Sequence, residues 1–252
     1  MKTLNYVVAM KQVPDLQQLR IRDKKPVLTD IPLELGKIDK NALECAVNLK
    51  EQHDGEVILV SVGNDDLPET LKDGLACGAD RAKFIADNRV DNLQSAQKAE
   101  LLAKLIEGLD DVSLIFFAEG SADNYSGQVG SRVAEILGYP QVGYASEVKI
   151  QGETAIITRA LENSYEDIEV ALPAVVIVVQ DLNKPRLPSV IQILKAGKKP
   201  QERIDLADSS YEAAELTVCY ENLAPDTDRK MQELSCSSDL IEVLKDLGVL
   251  ER

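Results

Sequence analysis

The residues best suited to holding a ligand form the run Ala118-Glu119-Gly120-Ser121-Ala122-Asp123-Asn124-Tyr125-Ser126-Gly127-Gln128-Val129-Gly130-Ser131. It follows a buried-strand pattern at Ser113–Ala118 and opens a helical one at Gln128–Leu137. Small residues let a backbone approach a ligand closely, and the free N–H groups and dipole of a helix N-terminus favour phosphate. The run contains neither Gly-x-Gly-x-x-Gly nor Gly-Lys-Ser/Thr. Composition alone slightly favours the plainer reading, a glycine-containing turn with an aspartate cap.

Other chemistries are excluded. His53 is the single histidine, so a His-rich metal site is impossible and a Ser-His-Asp triad would have to use a residue at a helix end. The four cysteines, Cys45, Cys77, Cys219 and Cys236, contain no Cys-x-x-Cys pair, which speaks against zinc and iron–sulfur centres. Scattered cysteines without a signal-peptide pattern predict free thiols in a reducing, cytoplasmic setting. With 43 acids, 28 bases and a net charge of −15, the chain is a poor match for nucleic acid or an anionic membrane surface. The longest apolar run, Ala171 to Val179, is too short to span a bilayer.

The elements that must position the loop read as alternating strands and helices. Leu4–Met10, Glu56–Val62, Ala82–Ile85 and Ser113–Ala118 have the apolar composition of buried strands. Helical stripes run over Asp39–His53, Pro68–Cys77, Leu93–Leu109 and Gln128–Leu137, with Gly78 and Gly138 as stop signals. Lys11–Leu35 is a long polar connection. The order predicts an α/β fold: an open parallel sheet with helices on both faces. After Pro140, Val142–Ile150, Thr154–Leu161 and Tyr165–Ala171 predict a short antiparallel ribbon, followed by a core strand at Ala174–Val179 and a helix at Ser189–Ala196. From Pro200 the pattern is polar and weakly periodic until a helix at Asp239–Leu247, capped by Ser237 or Ser238. The predicted organisation is a nucleotide-binding domain over residues 1–200 and, over 201–252, an arm and helix that pack on a partner.

Several ordered motifs resemble the β subunit of electron transfer flavoproteins. They are Val8-Ala9-Met10-Lys11-Gln12-Val13-Pro14-Asp15, Asn41-Ala42-Leu43-Glu44, Glu69-Thr70-Leu71-Lys72 with Leu75-Ala76-Cys77-Gly78-Ala79-Asp80, Gly120 to Gly130, Leu172-Pro173-Ala174-Val175-Val176, and Leu182-Asn183-Lys184-Pro185-Arg186 with Lys195-Ala196-Gly197-Lys198-Lys199-Pro200. Gly120 to Asp123, Gln128 to Gly130 and Pro185 to Ser189 are most similar to the Fix-type branch. The resemblance implies an adenine nucleotide α-hydrolase-like fold and a heterodimer with an α subunit that carries a redox-active FAD. It implies a second nucleotide in this chain, FAD or AMP, gripped by main-chain groups at Ala9, Val62 and Gly63 and by the loop from Asp123 through Gly127. The N–H groups of Gln128, Val129, Gly130 and Ser131 would take its phosphate. A side chain at Gly130 would then occupy the phosphate's space.

The sequence departs from the family in places. Gly36-Lys37 stands where Asn-Pro is usual, so Asp39 is the candidate replacement for an adenine or ribose contact. Ala160 stands beside Arg159 where a glutamate is usual, and Tyr125 where a small or acidic residue is usual. The resemblance sets Arg159 near the α-subunit flavin, where a cation favours the anionic reduced form. Lys184 to Arg203 holds six bases and one acid. Its loop Asn183 to Val190 corresponds to the family's recognition loop, with Val190 as apolar anchor and Lys184 and Arg186 as charged rim. The implied function is an electron carrier between a dehydrogenase, of acyl-CoA type, and a redox acceptor, with a quinone oxidoreductase as a further partner. Such a subunit is not an enzyme on its own. The alternative is a stand-alone adenine-nucleotide-binding regulatory module of similar fold.

Overall fold

The protein is described by a computed structural model covering residues 4–212, 219–225 and 231–250. Residues 1–3, 213–218, 226–230 and 251–252, which include parts of the sequence-defined C-terminal arm, lie outside the described residues.

The elements run β1 (Asn5–Ala9), β2 (Gln12–Pro14), β3 (Arg20–Arg22), β4 (Lys25–Val27), β5 (Leu33–Leu35), α1 (Lys37–His53), β6 (Glu56–Gly63), α2 (Leu67–Ala76), β7 (Arg81–Ala86), α3 (Ser95–Glu107), β8 (Val112–Ala118) and α4 (Val129–Leu137). They continue with β9 (Gln141–Gln151), β10 (Thr154–Ala160), β11 (Tyr165–Ala171), β12 (Ala174–Val178), α5 (Val190–Ala196), β13 (Gln201–Ile204) and α6 (Ser237–Asp246). Nine strands form one sheet in the order β11-β10-β9-β12-β8-β1-β6-β7-β13. From β9 to β13 the pairings are parallel; β10 and β11 extend the β9 edge antiparallel. The expected open parallel sheet and antiparallel ribbon are therefore both present, and the ribbon is continuous with the sheet.

Successive strand residues point to opposite faces, and both faces here are apolar. Tyr6, Val8, Leu59, Leu114 and Phe116 pack with α1 and α2 on one side. Val7, Ala9, Val60, Ile115 and Phe117 pack with α3 and α4 on the other. That two-sided burial explains the unbroken apolar runs of the sequence. Each fully buried large side chain stabilises the fold by about 1.5–3 kcal/mol. Gly138 ends α4 in the left-handed region at φ 66°, as its position after the last apolar turn predicts.

Three sequence readings need correction. The connection Lys11–Leu35 is structured: β2 pairs with β5, and β3 with β4. The boundary at residue 200 does not coincide with the structural one. β13 adds to the sheet edge beside β7, and Leu206 is buried against the α3–α4 face. The chain instead divides into one unit of Met1–Arg20 with Val27–Tyr220 and another of Ile21–Pro26 with Glu221–Arg252. Finally, Cys236 rather than a serine stands at the α6 N-cap. Asp239 reaches back to accept from the Ser235 N–H and Oγ at 3.0 Å each.

Within the second unit, the Ala224 N–H donates to the Lys24 carbonyl at 2.7 Å, and Lys25 pairs with Glu221 at 3.0 Å. Helix α6 buries none of its residues.

Candidate functional site

In an open parallel sheet, the crevice for a ligand lies outside the strand carboxyl ends where the strand order reverses. Here the chain runs outward from β1 through β6 to β7, then returns to β8 on the other side of β1. The reversal at β1 and β8 coincides with a cavity of about 570 Å³, the size of a small-molecule site. Its walls come from Ala9–Gln12 after β1, Val62 and Gly63 at the end of β6, the start of α3, and the loop Gly120–Gly130.

The loop is held at several points. The Glu119 N–H donates to the Val178 carbonyl at 3.0 Å and the Tyr125 N–H to the Ser121 carbonyl at 2.9 Å. The Tyr125 ring lies back over Gly120: a Cβ there would stand 2.8 Å from it, so only glycine fits. The Lys11 Nζ bonds Asp123 at 2.5 and 2.6 Å and the Ser121 Oγ at 3.1 Å, tying the loop to the end of β1. The Ser126 Oγ lies 3.2 Å from the Ser95 Oγ at the start of α3. Asp123 is thus a partner of Lys11 and not a helix cap; Gln128 stands at the α4 N-cap without a side-chain cap bond.

Asp39 sits in the first turn of α1, buried, with its carboxylate accepting the Lys11 N–H at 2.8 Å. Burial pushes its pKa up to about 7, and the neighbouring Asp123 charge adds to the shift, while the Lys11 hydrogen bond and charge oppose it. Burial would also raise Asp123, but the bonds from Lys11 and Ser121 hold it below the usual carboxylate range. Lys98, one turn into α3, lines the same cavity; burial and then the Lys11 charge lower its pKa.

The structure brings together Ala9, Asp39, Val62, Gly63, Gly127, Gln128, Val129 and Gly130 as cavity wall. Ser131 lines a neighbouring hollow of about 560 Å³ with Arg159, Tyr125 and Tyr144; Ser126 and Gly127 separate the two spaces. In that hollow, Arg159 donates to the Gly143 carbonyl at 3.0 Å and pairs with Glu166 at 3.3 Å. Sequence reasoning missed Lys11, Gln12, Ser95, Lys98 and Arg132 as wall residues. Lys11 and Gln12 were signalled by their place directly after a core strand; Lys98 looked like any solvated helix residue.

The role expected of Gly130 is corrected. A Cβ at Gly130 would meet Phe117 Cβ and Cγ at 3.0 Å and Ile177 Cγ1 at 3.2 Å. The glycine lets α4 lie close on β8 and β12, which positions the helix start, and its missing side chain is not space reserved for a phosphate.

Arg186 and Val190 lie outside both cavities. Arg186 is no free rim cation. It bonds Glu44 at 2.8 Å, Glu51 at 2.6 Å and Asn48 at 2.9 Å, all on α1, and the bonds to Glu44 and then Glu51 hold its pKa above the ordinary arginine value. Asn41 of α1 donates to the Asn183 carbonyl at 2.7 Å and its own carbonyl accepts from Asn183 at 3.0 Å. With its base so pinned, the segment exposes Leu187, Val190, Ile191 and Leu194, and Val190 is 72% exposed rather than packed beneath α5.

Among the described residues no group of three or more His, Cys, Asp or Glu could hold a metal ion. No helix among them is long and apolar enough to cross a membrane.

Comparison with known proteins gives the fold its family. The family described as "Electron transfer flavoprotein domain" matches residues 27–209. The chain is 36% identical over 207 residues to the electron transfer flavoprotein subunit beta of Thermoanaerobacterium thermosaccharolyticum, covering 81% of this chain and 79% of that one. It is 34% identical over 200 residues to the caffeyl-CoA reductase-Etf complex subunit CarD of Acetobacterium woodii, covering 78% and 76%. The mouse electron transfer flavoprotein subunit beta is 32% identical over 254 residues, covering 98% and 99%. Sheet, cavity and these similarities agree, and the chain belongs to the electron transfer flavoprotein family, among its β subunits.

Proposed function

We propose that this chain pairs with a flavin-carrying α subunit, holds an adenine nucleotide in the cavity at the carboxyl ends of β1, β6 and β8, and helps pass electrons from an acyl-CoA dehydrogenase to a redox acceptor. The observation that carries the reading is the cavity itself. It stands at the strand-order reversal, with Ala9, Gly63, Gly120 and Gly127 among its wall residues and the start of α4 at the end of the loop wall.

The residues fit the roles. Backbone at Ala9, Val62 and Gly63 would hold the adenosine, with Asp39 at the α1 end for a base or ribose contact. The N–H groups of Gln128, Val129, Gly130 and Ser131 would hold phosphate. The α-subunit flavin supplies the redox chemistry, and this chain orients it and shields it from water. Arg159 and the two tyrosines of the second hollow are the groups for that task. The nucleotide of this chain is FAD or AMP. The acceptor includes quinone oxidoreductase among its candidates. The acyl-CoA partner gains support from the relative that is named as part of a caffeyl-CoA reductase complex.

Two apolar surfaces suit two partners. The exposed Leu240, Ile241 and Leu247 of the C-terminal unit suit the α subunit, and Val190 with its neighbours suits the dehydrogenase. The test is reconstitution with a flavin-binding α subunit and an acyl-CoA dehydrogenase. A one-to-one complex whose flavin is reduced on adding acyl-CoA supports the reading. A chain that stays monomeric beside the α subunit contradicts it and favours the stand-alone nucleotide module.

A further inference from the structure

Lys11 is tied at every polar group it has. Its N–H donates to the Asp39 carboxylate at 2.8 Å, and its carbonyl accepts the Gly36 N–H at 3.0 Å. Gly36 makes this possible, because a Cβ there would collide with Asp39 Oδ2, the oxygen that holds the Lys11 N–H. The main chain just past β1 is thus fixed to the start of α1, and the lysine side chain projects from a set base. Its Nζ reaches Asp123 Oδ1 at 2.6 Å, Asp123 Oδ2 at 2.5 Å and the Ser121 Oγ at 3.1 Å. An ammonium has three donors, and these contacts use them all.

Lys11 lines the nucleotide cavity but has no donor left for a ligand. Asp123 does not line it, although Ser121, Asn124 and Ser126 around it do. The carboxylate is therefore placed to hold the loop and not to touch what the loop encloses. Both side chains of the pair are about two-thirds buried, at 32% and 30% exposure, so water screens them less than it screens an open surface pair. The loop's bond to α3, from the Ser126 Oγ to the Ser95 Oγ at 3.2 Å, is neutral and longer.

We infer that Lys11 is a positioning residue: paired with Asp123, it clamps the loop Gly120–Gly127 to the end of β1, so that the pair governs how tightly a nucleotide is held without either charge contacting it. The inference rests on the nucleotide reading above and adds the device that sets the loop.

The probe is AMP, titrated calorimetrically into the purified heterodimer after release of this subunit's nucleotide, with the α-subunit flavin retained. The two charges are opposite, so the sign of each effect separates a clamp from a direct contact. For a clamp, Lys11→Met and Asp123→Ala each lower AMP affinity about tenfold, because truncating either partner releases the loop. The double variant stays within about threefold of either single one, since partners that act as one unit do not add. Lys11→Arg, which keeps a charge-assisted bond to the carboxylate, restores affinity to within about threefold of the unaltered protein. A Lys11 that served a phosphate directly would instead be freed by Asp123→Ala, and AMP would bind at least as tightly as before; that result overturns the inference. Losses that multiply to about 100-fold in the double variant overturn it as well, and so does unchanged affinity in both single variants; each leaves the nucleotide site standing. If AMP does not bind the unaltered protein, the inference falls together with the reading beneath it. Asp123 stands on an exposed loop, so its variant reads the sign whether or not Lys11→Met folds.

Discussion

The cavity at the strand ends and the surface of Asn183 to Ala196 are both functional candidates, and they are built in opposite ways. The cavity ties its charges together internally, through Lys11 with Asp123 and Asp39 with the Lys11 N–H, and has Lys98 and Arg132 on its wall as well. The surface segment spends its polar groups on fixing its own base to α1 and leaves apolar side chains in water. A small charged ligand is recognised by pre-set donors in a partly dry pocket. A transient protein partner is recognised by exposed apolar area on a stiff support. The C-terminal unit repeats the second strategy, with no residue of α6 buried.

The largest effect expected from breaking this contrast is at α6. Leu240→Asp with Ile241→Asp should leave the sheet intact by circular dichroism and weaken association with the α subunit by more than about 100-fold, since two interface anchors are each worth about 2 kcal/mol. Analytical ultracentrifugation reads the result; an unchanged heterodimer would mean that α6 is not the interface.

Next is Gly130→Ala. Its Cβ presses on Phe117 and Ile177, and overpacking of this kind costs about 1–3 kcal/mol. The melting temperature should fall by several degrees, and nucleotide content should fall with it because the α4 start is displaced. Loss of nucleotide at unchanged melting temperature would restore the direct phosphate role.

Smaller again is Val190→Ala. Folding and nucleotide content should be unchanged, because the side chain is exposed. Its lost burial against a partner is worth on the order of 1 kcal/mol, a fall of about fivefold in affinity for the dehydrogenase. Stopped-flow electron transfer at varied dehydrogenase concentration checks it; an unaltered rate would assign the anchor to another residue.

The mildest concerns Asp39. Its pKa in the folded chain, about 7, lies above that of an unfolded aspartate, so folding holds its proton as pH rises. Stability contributed this way is fully present below about pH 4 and is lost as pH rises through about 7. Asp39→Asn keeps an acceptor for the Lys11 N–H and removes the titration. It should flatten the pH dependence of the melting temperature between about 4 and 7 and raise it at neutral pH. A slope identical to that of the unaltered protein would show that Asp39 is ionised throughout.

The contrast also marks what could be read from the sequence. The core strands were legible because burial on both faces makes them uniformly apolar, and α1 to α4 because their stripes keep the helical period. β13 was not, since an edge strand buries few residues and Gln201-Glu202-Arg203-Ile204 looks like an arm. The cavity was half legible. Its small residues sit in sequence where strands end, but Lys98 becomes distinctive only when α3 turns it inward without a counter-charge. The packing of Gly130 and the ion pairs of Arg186 were not legible, because the neighbours that define them, Phe117, Ile177, Glu44 and Glu51, are distant in the chain.

The most direct measurement of nucleotide binding by this chain is the nucleotide released on denaturing the purified heterodimer, quantified by chromatography for the unaltered complex. Two adenine-containing nucleotides per heterodimer are expected: the α-subunit FAD and a second one from this chain. A single FAD per heterodimer and no other nucleotide would contradict it.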